Sequence, residues 1–143
     1  MNFYVCSREN AKRMSYKICE PTLIISITDP NKMPNNFAKN PNIKSICRVM
    51  FDDIDKNEEK EGYLIAMTEK DAEKIKSCVE KHKDKVDCII VHCEAGISRS
   101  SGVMAAIQKY LIGSDEAIFN NAKYCPNMHC YKMMLEQFFG KII

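Results

Sequence analysis

The stretch of this 143-residue sequence richest in chemistry reads His92-Cys93-Glu94-Ala95-Gly96-Ile97-Ser98-Arg99-Ser100-Ser101-Gly102. Cys93 is a nucleophile once ionised, and Arg99 offers two parallel donors in a rigid fork that Lys cannot match. Between them stand Glu94, Ala95, Gly96, Ile97 and Ser98, and Gly96 allows a backbone conformation that a residue with a Cβ resists. A tight loop of this kind points successive N–H groups at one spot. A helix opening at Arg99 or Ser100 adds its partial positive charge there. The loop is therefore a ready-made dianion site, with phosphate the obvious occupant, and the same field should hold Cys93 as thiolate. A Cys-x5-Arg spacing alone has little specificity in a chain with eight Cys and only four Arg. What gives it weight is context: a buried strand before the cysteine, small residues between, and a helix after.

Those elements can be read from the pattern. Val86-Asp87-Cys88-Ile89-Ile90-Val91-His92 is apolar for most of its length, as expected of a strand covered on both faces. Val103, Met104, Ile107, Tyr110 and Leu111 mark the apolar face of the following helix, with Gly113 as its stop. Thr22 to Thr28 and Ile43 to Phe51 read as further strands, joined by a polar loop from Pro30 to Asn42, and Asn2 to Cys6 as an edge strand. Thr68-Glu69-Lys70-Asp71 has the form of a capping box that opens an amphipathic helix to about His82. Ser114 is expected to cap a helix to about Tyr124, and Asn127 a last one through Phe139 with Met128, Tyr131, Met134, Leu135 and Phe138 inward. The alternation predicts an α/β fold, a small mostly parallel central sheet flanked by helices, as a single domain over residues 1–143.

Read as HC-x-A-G-x-SRS, the loop resembles the active-site loop of the cysteine-dependent protein tyrosine phosphatases, most closely the small dual-specificity branch. The tight match covers His92 to Gly102; the strand-loop-helix order, an upstream acidic cluster and Pro126-Asn127 extend a looser one over most of the chain. The resemblance implies a protein tyrosine phosphatase-like fold and hydrolysis of phosphotyrosine, with phosphoserine and phosphothreonine as further substrates, through a cysteinyl-phosphate on Cys93. It implies that Arg99 and the amides of Glu94 through Ser98 hold the phosphoryl oxygens. Ser100 would stabilise the thiolate when water expels it, and His92 would organise the loop and tune the thiol. The general acid should be an Asp upstream. Asp53 in Phe51-Asp52-Asp53-Ile54-Asp55 aligns best, with Asp52 and Asp55 as alternatives. The chain has no Trp, so the Trp-Pro-Asp loop of the larger tyrosine-specific enzymes is absent.

The remaining composition narrows the classes. A formal charge of +2 argues against nucleic acid as partner, and no apolar run is long enough to span a bilayer. The expected partner is a phosphorylated protein or peptide. Met1 to Arg8 lacks the pattern of a secretory signal, and the eight cysteines include no C-x-x-C pair, which suggests free thiols and a cytoplasmic location. Cys88, five residues before Cys93, is a candidate redox partner for it, although a buried strand cysteine is the commoner explanation. Cys125, His129 and Cys130 lack a second ligand pair at zinc spacing, so no metal and no cofactor are expected. The alternatives are an RNA 5′-triphosphatase of the same superfamily and a non-catalytic phosphate-binding module. Phosphoinositide phosphatases of that superfamily carry lysines where Glu94 and Ile97 stand, and a carboxylate there repels extra phosphates.

Overall fold

A computed structural model describes residues 1–54 and 64–141. Four strands, β1 (Asn2–Ser7), β2 (Thr22–Thr28), β3 (Ile43–Met50) and β4 (Cys88–Cys93), form one sheet in the order β1-β4-β2-β3, and every pairing is parallel. The helices are α1 (Arg8–Ser15), α2 (Glu69–His82), α3 (Arg99–Ile112), α4 (Glu116–Phe119) and α5 (Met128–Phe139). β1 lies at one edge, and the expected mostly parallel sheet is wholly parallel among the described strands.

Strand alternation assigns the two faces. Ile89, Val91 and Cys93 of β4, with Leu23, Ile25 and Ile27 of β2, meet Ile75 and Val79 of α2, Val103, Met104 and Ile107 of α3, and Met134 of α5. On the other face Ile24, Cys88 and Ile90 pack under Met14, Ile18 and Phe37. Both β2 and β4 are buried along their full length, which accounts for their near-continuous apolar runs. Because all four strands run the same way, their carboxyl ends gather at one rim. Asp29 and Phe51 to Asp53 follow β2 and β3 there, and Cys93 ends β4, at the rim where ligands of open α/β sheets bind.

The helix punctuation follows the expected chemistry. Thr68 and Asp71 form the capping box of α2, Gly113 ends α3 in the left-handed region, and Asn127 accepts from the Cys130 amide to cap α5. Two expectations are corrected. The helix expected from Ser114 to Tyr124 is only the single turn of α4, with Ser114 Oγ accepting from the Glu116 amide. Beyond it the chain turns, with the Asn121 and Tyr124 amides donating to the carbonyls of Ile118 and Asn121, and the Cys125 and Asn127 amides are then spent on the carbonyls of Ile97 and Ser98 instead of on a helix. Met128, expected inward on α5, is exposed; the inward residues are Cys130, Tyr131 and Met134, with Leu135 and Phe138 half-buried.

Candidate active site

Cys93 closes β4 and is buried, and its Sγ lies 3.0 Å from the Ser100 hydroxyl in the first turn of α3. The loop between them turns its carbonyls outward. His92 Nδ1 reaches the Cys93 carbonyl at 3.0 Å, and the Arg8 amide the Glu94 carbonyl at 3.2 Å. Ile97 accepts from the Cys125 amide at 3.0 Å and from Ser101 Oγ at 2.6 Å. The Ser98 carbonyl takes the amides of Gly102 and Asn127, each at 3.0 Å, and Ser101 Oγ at the same distance. A planar trans peptide points N–H opposite to C=O, so these anchors turn the amides of Glu94, Ala95, Ser98 and Arg99 inward. Among the described residues the amides of Ala95 through Ser98 have no protein acceptor. Such a set of unpaired donors at a helix start suits an anion.

Gly96 makes this curvature possible. Its φ is +73°, and a Cβ there would lie 2.4 Å from the Cys6 carbonyl carbon and 2.5 Å from the Ser7 nitrogen. The loop thus leans on the junction of β1 and α1.

Arg99 is buried, with Nη1 donating to Asp29 Oδ1 at 2.7 Å and to the Phe51 carbonyl at 2.8 Å. Its Nε is buried with no protein partner. A guanidinium so fixed on one side keeps a donor for a bound oxyanion on the other. Asp29 is a residue that sequence reasoning missed. The available signal was an acid directly at the end of an apolar strand in a chain poor in arginine.

Lys32 lies at the same rim, its Nζ 3.3 Å from Glu94 and 3.6 Å from Asp29. The Glu94 side chain is exposed and faces this ammonium, so only its backbone serves the cradle; Ile97 is likewise exposed.

His92 is fully buried, and burial lowers its pKa to about 4. The ring is therefore neutral at pH 7. A carbonyl can only accept, so Nδ1 carries the proton donated to Cys93 O, and Nε2 accepts from Ser26 Oγ at 2.6 Å. The contact to the nucleophile is thus with its backbone, and this ring sets loop geometry.

The acidic cluster is sorted by its partners. Asp53 is exposed, and its Oδ1 accepts from Ser98 Oγ at 2.8 Å and Asn127 Nδ2 at 2.9 Å, which places it over the loop. Asp52 instead accepts from the Ile65 amide at 2.8 Å and donates its own amide to the Ile65 carbonyl. Asp55 lies outside the described residues. Asn127, known from sequence as a helix cap, also ties this aspartate to α5.

Cys88 is corrected as a partner of Cys93. The two stand on opposite faces of β4 and five residues apart, hence roughly 16 Å along the strand, against a Cα separation of about 7 Å at most for a disulfide. Cys125 is exposed, Cys130 is buried in the core, and His129 turns Nε2 to the Met67 carbonyl at 2.9 Å.

No family model and no curated protein matches the chain. Solved structures do. Human DUSP28 aligns over 95% of this chain and 90% of its own at 15% identity, TM-score 0.61. The human tyrosine phosphatase-like serine/threonine/tyrosine-interacting protein aligns over 81% and 75% at 18% identity, TM-score 0.53. PTPMT1 in complex with PI(5)P aligns over 94% and 88% at 15% identity, TM-score 0.55. The chain has the α/β fold of these proteins, in agreement with the resemblance read from its loop.

Proposed function

We propose that this chain is a protein phosphatase that hydrolyses phosphotyrosine, with phosphoserine and phosphothreonine as further substrates, through a cysteinyl-phosphate on Cys93. Four observations support this reading: Cys93 Sγ lies against Ser100 at the start of α3, the amides of Ala95 through Ser98 have no protein acceptor among the described residues, the buried Arg99 keeps an unpaired Nε, and Asp53 is hydrogen-bonded to Ser98 of the same loop. The amides and Arg99 bind the equatorial phosphoryl oxygens, and the Cys93 sulfur attacks phosphorus in line with the leaving oxygen. Positioning and charge stabilisation then supply most of the rate.

Asp53 donates its proton to the departing phenolate and afterwards takes one from the water that attacks the cysteinyl-phosphate. Ser100, at hydrogen-bond distance from the sulfur, donates to the thiolate as it leaves. Asp29 and Lys32 supply charge and position at the rim, and His92 holds the backbone of the nucleophile.

A phosphoinositide headgroup is the second reading. The Glu94 carboxylate, an obstacle to extra phosphates, faces the Lys32 ammonium, so its repulsion is offset. One experiment separates these. Purified protein is assayed on a phosphotyrosine peptide, a phosphoinositide, 5′-triphosphorylated RNA and a simple aryl phosphate, beside Cys93→Ser. The expected result is turnover fastest on the peptide, abolished in Cys93→Ser while phosphate binding persists. Full activity of Cys93→Ser overturns the thiol mechanism, and stoichiometric peptide capture without phosphate release assigns a binding module instead.

A further inference from the structure

The two edges of the sheet are built differently. β3 carries Lys44 and Arg48, and Lys74 Nζ of α2 donates to the Arg48 carbonyl at 2.6 Å. Charge and a covering group are devices that keep an edge strand from pairing. β1, at the other edge, reads Asn2-Phe3-Tyr4-Val5-Cys6-Ser7 and holds no charged residue. Outside its ladder with β4, the backbone of Phe3 to Cys6 makes no hydrogen bond among the described residues. Its outer side is therefore an open row of N–H and C=O groups, and what satisfies such a row is another strand.

The strand that fits is a second β1. A two-fold axis normal to the sheet keeps the faces of both copies aligned, so residues opposite one another must point to the same face. An antiparallel pairing centred on Tyr4 meets this condition. It sets Phe3 against Val5, Asn2 against Cys6 and Tyr4 against its own copy, and it ends before α1 begins at Arg8. No like charges meet along it, and the two tyrosine rings form a cross-strand aromatic pair. Tyr4 is 44% exposed on the single chain, so a second ring has surface to cover. Beside it, between β1 and α1, opens a groove of about 450 Å³ lined by Met14, Ile18, Cys88 and Ile90, which extends that apolar surface.

We propose that β1 is a self-association edge, at which two copies of this chain pair antiparallel about Tyr4 and join their sheets into one. The interface runs along the side of the sheet, away from the carboxyl rim that carries Cys93, so it stands independently of the phosphatase reading.

Sedimentation of the wild type over about a hundredfold range of concentration tests this by mass action. The expected result is a monomer that gives way to a dimer as concentration rises. Tyr4→Lys and Tyr4→Glu each place like charges opposite one another and should weaken the dimer by at least about tenfold, with urea midpoints close to that of the wild type. An equimolar mixture of the two variants should recover it, since opposite charges then face each other at the centre of the ladder. A wild type that stays monomeric throughout, a dimer indifferent to both substitutions, or a mixture no more associated than its components overturns the proposal. Amide exchange supplies a measurement free of substitution: the Phe3 to Cys6 amides of the wild type should exchange more slowly as concentration rises, and an unchanged rate excludes pairing at this edge.

Discussion

Asp29, the residue after β2, accepts a 2.7 Å hydrogen bond from Arg99 Nη1 across a sequence separation of 70 residues. The carboxylate balances a buried guanidinium and fixes its plane, which leaves Nε unpaired. Removing it strands a buried charge and frees the fork to rotate. Asp29→Ala is expected to lower kcat/KM by about ten- to a hundredfold and weaken inhibition by inorganic phosphate, and the amide oxygen of Asp29→Asn, which still accepts a hydrogen bond, should recover part of the loss. Alkylation of Cys93 by a neutral reagent is the control and should change little. Unaltered phosphate inhibition in Asp29→Ala would remove this residue from the site.

Asp53 and Asp52 stand side by side in sequence but hold different partners, Ser98 and Asn127 in one case and the Ile65 backbone in the other. Asp53→Ala is therefore expected to slow hydrolysis of phosphotyrosine by about a hundredfold or more, and much less with a substrate whose leaving group is already acidic. Asp52→Ala should show no such dependence on the leaving group. Steady-state rates over a series of aryl phosphates check this, and equal slopes for the two variants would place the acid elsewhere.

Gly96 and Gly113 both have positive φ, +73° and +79°, yet only at Gly96 would a Cβ strike the backbone of another element. Gly113→Ala is expected to cost about 1 kcal/mol and leave activity intact, the conformational cost alone. Gly96→Ala carries that cost together with a displacement of the loop from Cys6 and Ser7, so phosphate binding and turnover should both be lost. Urea unfolding and a phosphate titration distinguish the two, and a Gly96→Ala protein with normal phosphate affinity would show that the loop does not need this curvature.

What was legible in the sequence was local. The span from His92 to Arg99 carries its own logic, because a nucleophile, small residues and an arginine at a helix start can be understood without knowing the rest. The same holds for Thr68, Gly113 and Asn127, whose roles are fixed within one helical turn. α1 was not legible: its eight residues are mostly polar, only Ala11 and Ser15 are buried, and no apolar stripe marks it. Asp29 and Lys32 were missed for a different reason. They reach Arg99 and Glu94 only because parallel strands bring distant carboxyl ends to one rim. The short α4 shows the opposite case, where the local signal at Ser114 was overridden by the loop's demand for the Cys125 and Asn127 amides.

His92 ties stability to pH. Its pKa falls from 6.5 to about 4 on burial, so between these values the unfolded chain binds the proton more readily than the folded one. Stability from this group is thus fully present above pH 6.5 and drains away as the pH drops toward 4, by roughly 2 to 3 kcal/mol at pH 4.5. Urea midpoints of wild type and His92→Gln at pH 7 and pH 4.5 test it. The wild type should lose more on acidification than the variant, and parallel losses would mean that the imidazole is not held neutral.

Ser100 hydrogen-bonds the sulfur at 3.0 Å and, among the described residues, no other side chain, so its effect should be confined to steps in which charge on that sulfur changes. Formation of the cysteinyl-phosphate consumes the thiolate and its breakdown regenerates it. A hydroxyl that stabilises the thiolate therefore favours the second step and does nothing for the first. Ser100→Ala is expected to convert a steady release of phenol into a burst of about one equivalent followed by a turnover slowed roughly tenfold or more, with phosphocysteine accumulating on Cys93. Rapid-quench kinetics with an aryl phosphate resolve the two phases. If the burst itself slows in proportion and no intermediate accumulates, the hydroxyl serves attack and not release, and the order of roles between Ser100 and the loop amides must be exchanged.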